Sequence, residues 1–118
     1  MIYDTLDSLA RYTHLFGMTE PVYETIYPKP FDGMFIAHSH YATIFLVKEG
    51  EILVCSTHAQ QPSTFVRDIN GFVHLESSGI TSTARVDSDH FIFFSPYEPY
   101  ALIAEKQADV ARLLVEVR

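Results

Sequence analysis

Short β-forming runs, closed by turn signals roughly every 8 to 12 residues, recur from residue 22 to the end of the chain. Residues 22–27 (VYETIY) stop at Pro28 and Pro30, and the apolar run 41–47 stops at Lys48, Glu49 and Gly50. Residues 52–55 lead into a polar loop over 57–63 that contains Pro62. Residues 64–67 and 72–75 flank Asp68, Ile69, Asn70 and Gly71, and an Asn-Gly pair suits the positive φ of a tight hairpin turn. A strand over 79–85 exits through Asp87, Ser88 and Asp89, and the buried run 91–94 (FIFF) is broken at 95–99. Residues 100–104 form a short strand, and 110–117 close the chain in alternation. This rhythm predicts about nine strands with no βαβ crossover, hence an antiparallel sandwich or barrel. One segment, 4–13, reads as a short N-terminal helix capped by Asp4 or Thr5 and ended by Gly17.

A length of 118 residues fits one domain, 1–118, with a real core, and a hydrophobic fraction of 47% excludes disorder. A formal net charge of −7 argues against a nucleic-acid or anionic-membrane surface, either of which needs clustered positive charge. The first residues carry Asp4, Asp7, Arg11 and Glu20, unlike a secretory leader, and no apolar run approaches the ~18 residues of a membrane span. A cytoplasmic location is the expectation. Cys55 is the only cysteine and sits in an apolar strand, where it acts as a small hydrophobe.

The strongest chemical signal lies in the stretch 34–56, read as a hairpin that opens on an H-x-H step, His38 and His40. On one strand, His38, His40, Ala42, Ile44 and Leu46 would share a face, with the two imidazoles ~6.5 to 7 Å apart. Such a pair can converge on one ion or ligand. It also occurs on ordinary strands with one ring hydrogen-bonded and the other solvated, and the sequence leaves both readings open. A metal needs a further His or carboxylate. Glu98, between Pro96 and Pro99, is a candidate third group or general base, or else a solvated turn carboxylate. Tyr41, Tyr97 and Tyr100 can offer apolar faces with a hydroxyl, a common way to hold a sugar ring.

Together these segments resemble the YhcH/YjgK/YiaL family, which includes the small subunit of evolved β-galactosidase. The resemblance rests on the opening MIYDTL, on Tyr23-Glu24-Thr25, and on His38-Ser39-His40-Tyr41-Ala42-Thr43-Ile44 followed by Gly50-Glu51. It continues in Phe91-Ile92-Phe93-Phe94 with Pro96 and in the closing strand 110–117. The resemblance implies a cupin-like double-stranded β-helix, a homodimer and work on sugars or sialic-acid-type sugar acids, as an anomerase or isomerase. The chain departs from the family at its ligand positions: Ile36 stands for a Glu, Thr43 for an Asp, and Pro99 or Tyr100 for a His. The segments around His38 and Tyr100 also resemble the sensory cupin domain of AraC-type regulators, without their DNA-binding region.

The sequence is therefore read as a cupin-like binder of a sugar or sugar acid through His38, His40, Tyr41, Tyr97, Glu98 and Tyr100. It is expected to hold no tight cofactor, with only weak transition-metal binding through His38 and His40. His38→Ala or His40→Ala is expected to alter sugar binding more than stability. The alternatives are a degenerate anomerase, a non-enzymatic sensor and an accessory subunit of a larger glycosidase.

Overall fold

A computed structural model describes residues 1–11, 16–18, 20–57, 64–77, 79–80 and 82–117. In chain order it places β1 (Ile2–Thr5), a short 3₁₀ helix (Leu6–Arg11), β2 (Phe16–Met18), β3 (Val22–Ile26), β4 (Met34–His38) and β5 (Ala42–Glu49). There follow β6 (Ile52–Ser56), β7 (Thr64–Ile69), β8 (Phe72–Glu76), β9 (Ser82–Val86), β10 (His90–Phe94), β11 (Tyr100–Ile103) and β12 (Ala108–Val117). The strands form two antiparallel sheets. One runs β1-β10-β5-β12-β2, with β3 also on β12, and the other runs β7-β8-β4-β11-β6-β9. The all-β expectation holds, as does the single minor helix.

The expected hairpin over 34–56 does not form. β4 and β6 lie in one sheet and β5 in the other, so residues 39–41 and 50–51 are corners that carry the chain between layers. The physical reason is that both edges of β5 are taken, by β10 and β12, and both edges of β6 by β11 and β9. Gly50 makes its corner at φ +86, where an added Cβ would press on Ala108 and Gln107. The corner at Ser39 also breaks the shared face expected for the two histidines. His38 ends a strand and is buried, whereas His40 sits in the bend and is exposed.

The N-terminal helix begins later than expected. Asp4 and Thr5, the proposed caps, belong to β1, where they pair with Phe91 and His90. An edge strand has claimed them, and among the described residues Leu6–Arg11 coil as a 3₁₀ turn. Gly17 lies in β2 opposite Glu116, and Thr13 and the loop 58–63 fall outside the described residues. The hairpin of β7 and β8 forms as expected, on a two-residue turn with Asn70 at φ 52 and Gly71 at φ 87.

Layering explains which strands read as unbroken apolar runs. The inner core joins Phe45 and Val47 of β5, Ile92 and Phe94 of β10 and Val110 of β12 to Ile52, Val54, Val86 and Tyr100 of the facing sheet. The opposite face of the first sheet is apolar too: Ala42, Ile44, Phe91, Phe93 and Val115 pack together, with Leu9 of the 3₁₀ turn against them. Strands covered on both faces lose the polar alternation of a half-exposed sheet. On the second sheet, Phe35, Cys55 and Ala101 form a smaller outer cluster under Phe31, and burial raises the Cys55 thiol pKa.

Candidate functional site

Strand parity decides what points between the sheets. On β4, Met34, Ile36 and His38 share the inner side, and antiparallel register sets Ile36 beside both His74 of β8 and Tyr100 of β11. Across the gap, Arg112 of β12 lies between Phe45 of β5 and Val22 of β3, two residues from Val110, which faces Glu24. These inward residues enclose a cavity of about 470 Å³ with Ile36, Phe45, Tyr100, Glu24 and Arg112 in its wall. It is bounded by β3 and by Arg67 of β7, and by the segment 27–32 that follows β3.

Arg112 lines this space and makes the most contacts described for it. Its Nη1 donates toward Glu24 Oε1 at 2.7 Å, and its guanidinium carbon sits 4.6 Å over the Phe72 ring, so one side chain bridges the two sheets. Its Nε–H is buried and has no acceptor among the described residues. Tyr100 lies beside it, 3% exposed, stacked on Phe94 at 4.7 Å and edge-on to Phe45 at 5.2 Å. Burial pushes its phenol pKa well up; the charge of Glu24 adds to that, while Arg112 and a hydrogen bond with Thr43 oppose it. Tyr100 is therefore a neutral hydroxyl throughout the physiological range. Across the cavity, His74 Nδ1 meets the Phe72 carbonyl at 3.2 Å. Three of the eight Lys and Arg residues (Lys29, Arg67 and Arg112) line the cavity, against two of the fifteen acids (Glu24 and Asp32). Lys29, Arg67 and Asp32 are exposed at its edge, and Arg112 is paired with Glu24.

Of the six residues singled out from the sequence, only Tyr100 lines this cavity. His38 is turned inward but is used by the fold. Its Nδ1 accepts the backbone N–H of His40 and of Tyr41, each at 3.0 Å, so Nε2 carries the proton and donates to the Asn70 carbonyl. Burial and then the neighbouring His40 lower its pKa, against the opposing pull of that carbonyl and of Asp68. His40 and Tyr41 are exposed, with their rings 6.2 and 5.2 Å from the His38 ring. Tyr97 is exposed at φ 64 and donates its N–H to the His38 carbonyl at 2.8 Å. Glu98 accepts the Ser95 N–H at 3.0 Å and pairs with the Met1 amino group, so its oxygens are engaged within its own turn and the terminus.

The cavity residues that the reading passed over include Glu24, Arg67, His74 and Arg112. A signal was present: Arg112 is a lone charge in the apolar run 110–115, on the same parity as inward-facing Val110. Glu24 likewise interrupts the β-rich run 22–26.

No protein-family model matches this chain, and no curated protein sequence is significantly similar to it. Solved structures do match. One is hydroquinone 1,2-dioxygenase PnpCD in complex with Cd2+ and 4-hydroxybenzonitrile, with a TM-score of 0.51 and 14% sequence identity. The match covers 81% of this chain and 58% of that one. This chain has a cupin-like fold.

That neighbour carries Cd2+, which makes the fit of a metal here a fair question. Among the described residues of the cupin-like chain, no three His, Cys, Asp or Glu side chains come together. The cavity wall includes the Arg112 guanidinium, whose charge disfavours a cation beside it, and both ring nitrogens of His38 are engaged within the chain. The described residues do not fit a metal ion. The H-x-H step does not supply the free imidazole pair expected of it, because the His38 ring is engaged by the backbone. No helix among the described residues is long and apolar enough to cross a membrane.

Proposed function

We propose that this cupin-like chain binds a small sugar or sugar acid in the space between its sheets, without a metal. The observation that carries the reading is the cavity itself. Its volume of about 470 Å³ falls within the range of small-molecule sites, roughly 300–1,000 Å³. Its wall joins apolar surface (Ile36, Phe45, Leu102) to a few polar groups (Arg112, Glu24, His74), the mixture that sites for oriented organic ligands use. The resemblance to the YhcH/YjgK/YiaL family supports a sugar-type ligand. A metal-assisted anomerase step has no support among these residues, so binding is the reading and any turnover is a separate matter.

Titration calorimetry with D-glucuronate, D-galacturonate, N-acetylneuraminate and their neutral relatives tests it. At least one is expected to bind, and Met34→Trp, which places a large ring in the cavity wall, is expected to abolish that binding while the fold persists. Failure of every sugar to bind, or binding unchanged in Met34→Trp, would overturn the reading.

A further inference from the structure

Resting on the binding role proposed above, we infer that His74 anchors the ligand: its Nε2 accepts a hydrogen bond from an uncharged hydroxyl, and the cavity selects by that hydroxyl. His74 stands on β8 opposite Ile36, half-buried in the cavity wall. Its Nδ1 lies 3.2 Å from the Phe72 carbonyl. A carbonyl only accepts, so Nδ1 carries the proton, and in a neutral imidazole the other nitrogen is then a bare lone pair. No donor among the described residues meets that Nε2. Nor is it closed off: the buried side-chain atoms without a partner among the described residues are Thr57 Oγ1 and Arg112 Nε, and His74 Nε2 is not with them. It is an unused acceptor that a ligand can reach. Arg112, by contrast, is committed to Glu24 and Phe72, and Tyr100 is only 3% exposed.

A bulge sets what stands beside this nitrogen. β7 pairs Thr64 with Glu76 and Phe65 with Leu75, then skips Val66 and pairs Arg67 with His74. Unbroken alternation would have given His74 the apolar Val66 as its neighbour and turned Arg67 to the other side of the sheet. Instead a guanidinium stands at the cavity rim, one cross-strand step from the imidazole. A guanidinium only donates, and this imidazole nitrogen only accepts. A hydroxyl does both, so one oxygen can give its proton to Nε2 and take one from Arg67. A carboxylate has no proton to give and would set its lone pairs against that of Nε2. An ammonium can donate but meets the charge of Arg67. Arg67 is exposed, so its bond is the weaker of the two.

The test takes the tightest-binding sugar of the calorimetric series above, its monofluoro derivatives, and the side-chain nitrogen resonances of His74 at about pH 8, above the ordinary range of histidine protonation. Fluorine replaces a hydroxyl at nearly the same size and cannot donate. In the ligand-free chain Nδ1 is expected to carry the proton, and saturating sugar is expected to move the Nε2 resonance toward that of a hydrogen-bonded nitrogen. One monofluoro derivative is expected to bind about tenfold more weakly than its parent, the usual worth of one hydrogen bond. In His74→Phe, which keeps a ring and removes the acceptor, that difference is expected to vanish. Arg67→Met is expected to weaken the parent sugar less than His74→Phe does, and the reverse order would move the anchor to Arg67 and overturn the inference. If His74→Phe fails to fold, the nitrogen resonances and the fluoro series in the unmodified chain still decide the matter. A proton on Nε2 in the ligand-free chain overturns this inference, as does a bound sugar that leaves the Nε2 resonance unmoved; in both cases the sugar-binding reading stands. A fluoro derivative weakened equally in His74→Phe overturns it in the same way. Binding of no sugar at all overturns both.

Discussion

Gly71→Ala is a small change with two separable costs, and the structure assigns each. Gly71 sits at φ 87, where a side chain other than hydrogen is strained by ~1–2 kcal/mol. A Cβ there would also stand 2.8 Å from His38 Cε1 and 2.9 Å from Nε2, closer than carbon atoms approach, so the imidazole must move. It cannot move freely, because Nδ1 accepts two backbone N–H groups at 3.0 Å each and Phe72 packs edge-on at 4.7 Å. Depriving both part-buried N–H donors of that one acceptor costs about 1 kcal/mol apiece at the low end of the usual penalty. The total is roughly 3–4 kcal/mol. In a His38→Ala background the clash has no ring to displace, and Gly71→Ala should cost only the ~1–2 kcal/mol of backbone strain. A double-mutant cycle by urea unfolding reads the difference as a coupling of about 2 kcal/mol. At a slope of about 2 kcal/mol/M, the single Gly71→Ala change should lower the midpoint by roughly 1.5–2 M. An equal cost in both backgrounds would show that the ring is not held where the structure places it.

Three further outcomes are expected. His38 is kept neutral in the fold, with its pKa below the ordinary 6.5. The unfolded chain therefore takes up its proton first as the pH falls through 6.5, and stability should decline from there until the folded-state pKa is passed. His38→Ala, which should itself cost about 2 kcal/mol by leaving two N–H donors without an acceptor, should flatten that decline in a pH series of thermal melts. An unchanged slope would count against the assignment. Tyr100→Phe keeps the stacking on Phe94 and loses the bond with Thr43, so about 1 kcal/mol is expected, against ~3–5 kcal/mol for Phe45→Ala in the same core. Equal costs in chemical unfolding would contradict the packing described. β7 is a free sheet edge with Phe65, Val66 and Ile69 exposed at 62%, 38% and 50%, and pairing of two copies would cover it. Sedimentation at micromolar concentration should report a dimer that Val66→Lys weakens, and a monomer in the unmodified chain would rule this out.

Local chemistry alone settled a good part of this fold. Asn70-Gly71 announced a two-residue hairpin because few other pairs tolerate two successive positive φ values. The all-apolar run 91–94 announced a strand covered on both faces. The breaks at Pro28, Pro30 and Pro96 marked strand ends because proline cannot continue a ladder. Together these were enough for an antiparallel all-β class with a minor helix.

What local chemistry could not decide was which strand pairs with which. Residues 42–49 and 52–56 look like a hairpin because they are neighbours with a glycine turn between them. They part because β10 and β12 reach β5 from more than 40 residues away in sequence and saturate its edges. The same non-local choice turned the H-x-H step into a corner, burying His38 as a backbone acceptor and leaving His40 outside. It also brought Glu24, Phe72 and Arg112, three residues spread from near the start of the chain to near its end, onto one guanidinium. A charge inside an apolar strand shows in the sequence as an oddity. Its partners are set by register between distant strands, and register belongs to the tertiary structure, because a shift of one residue turns every side chain to the opposite face.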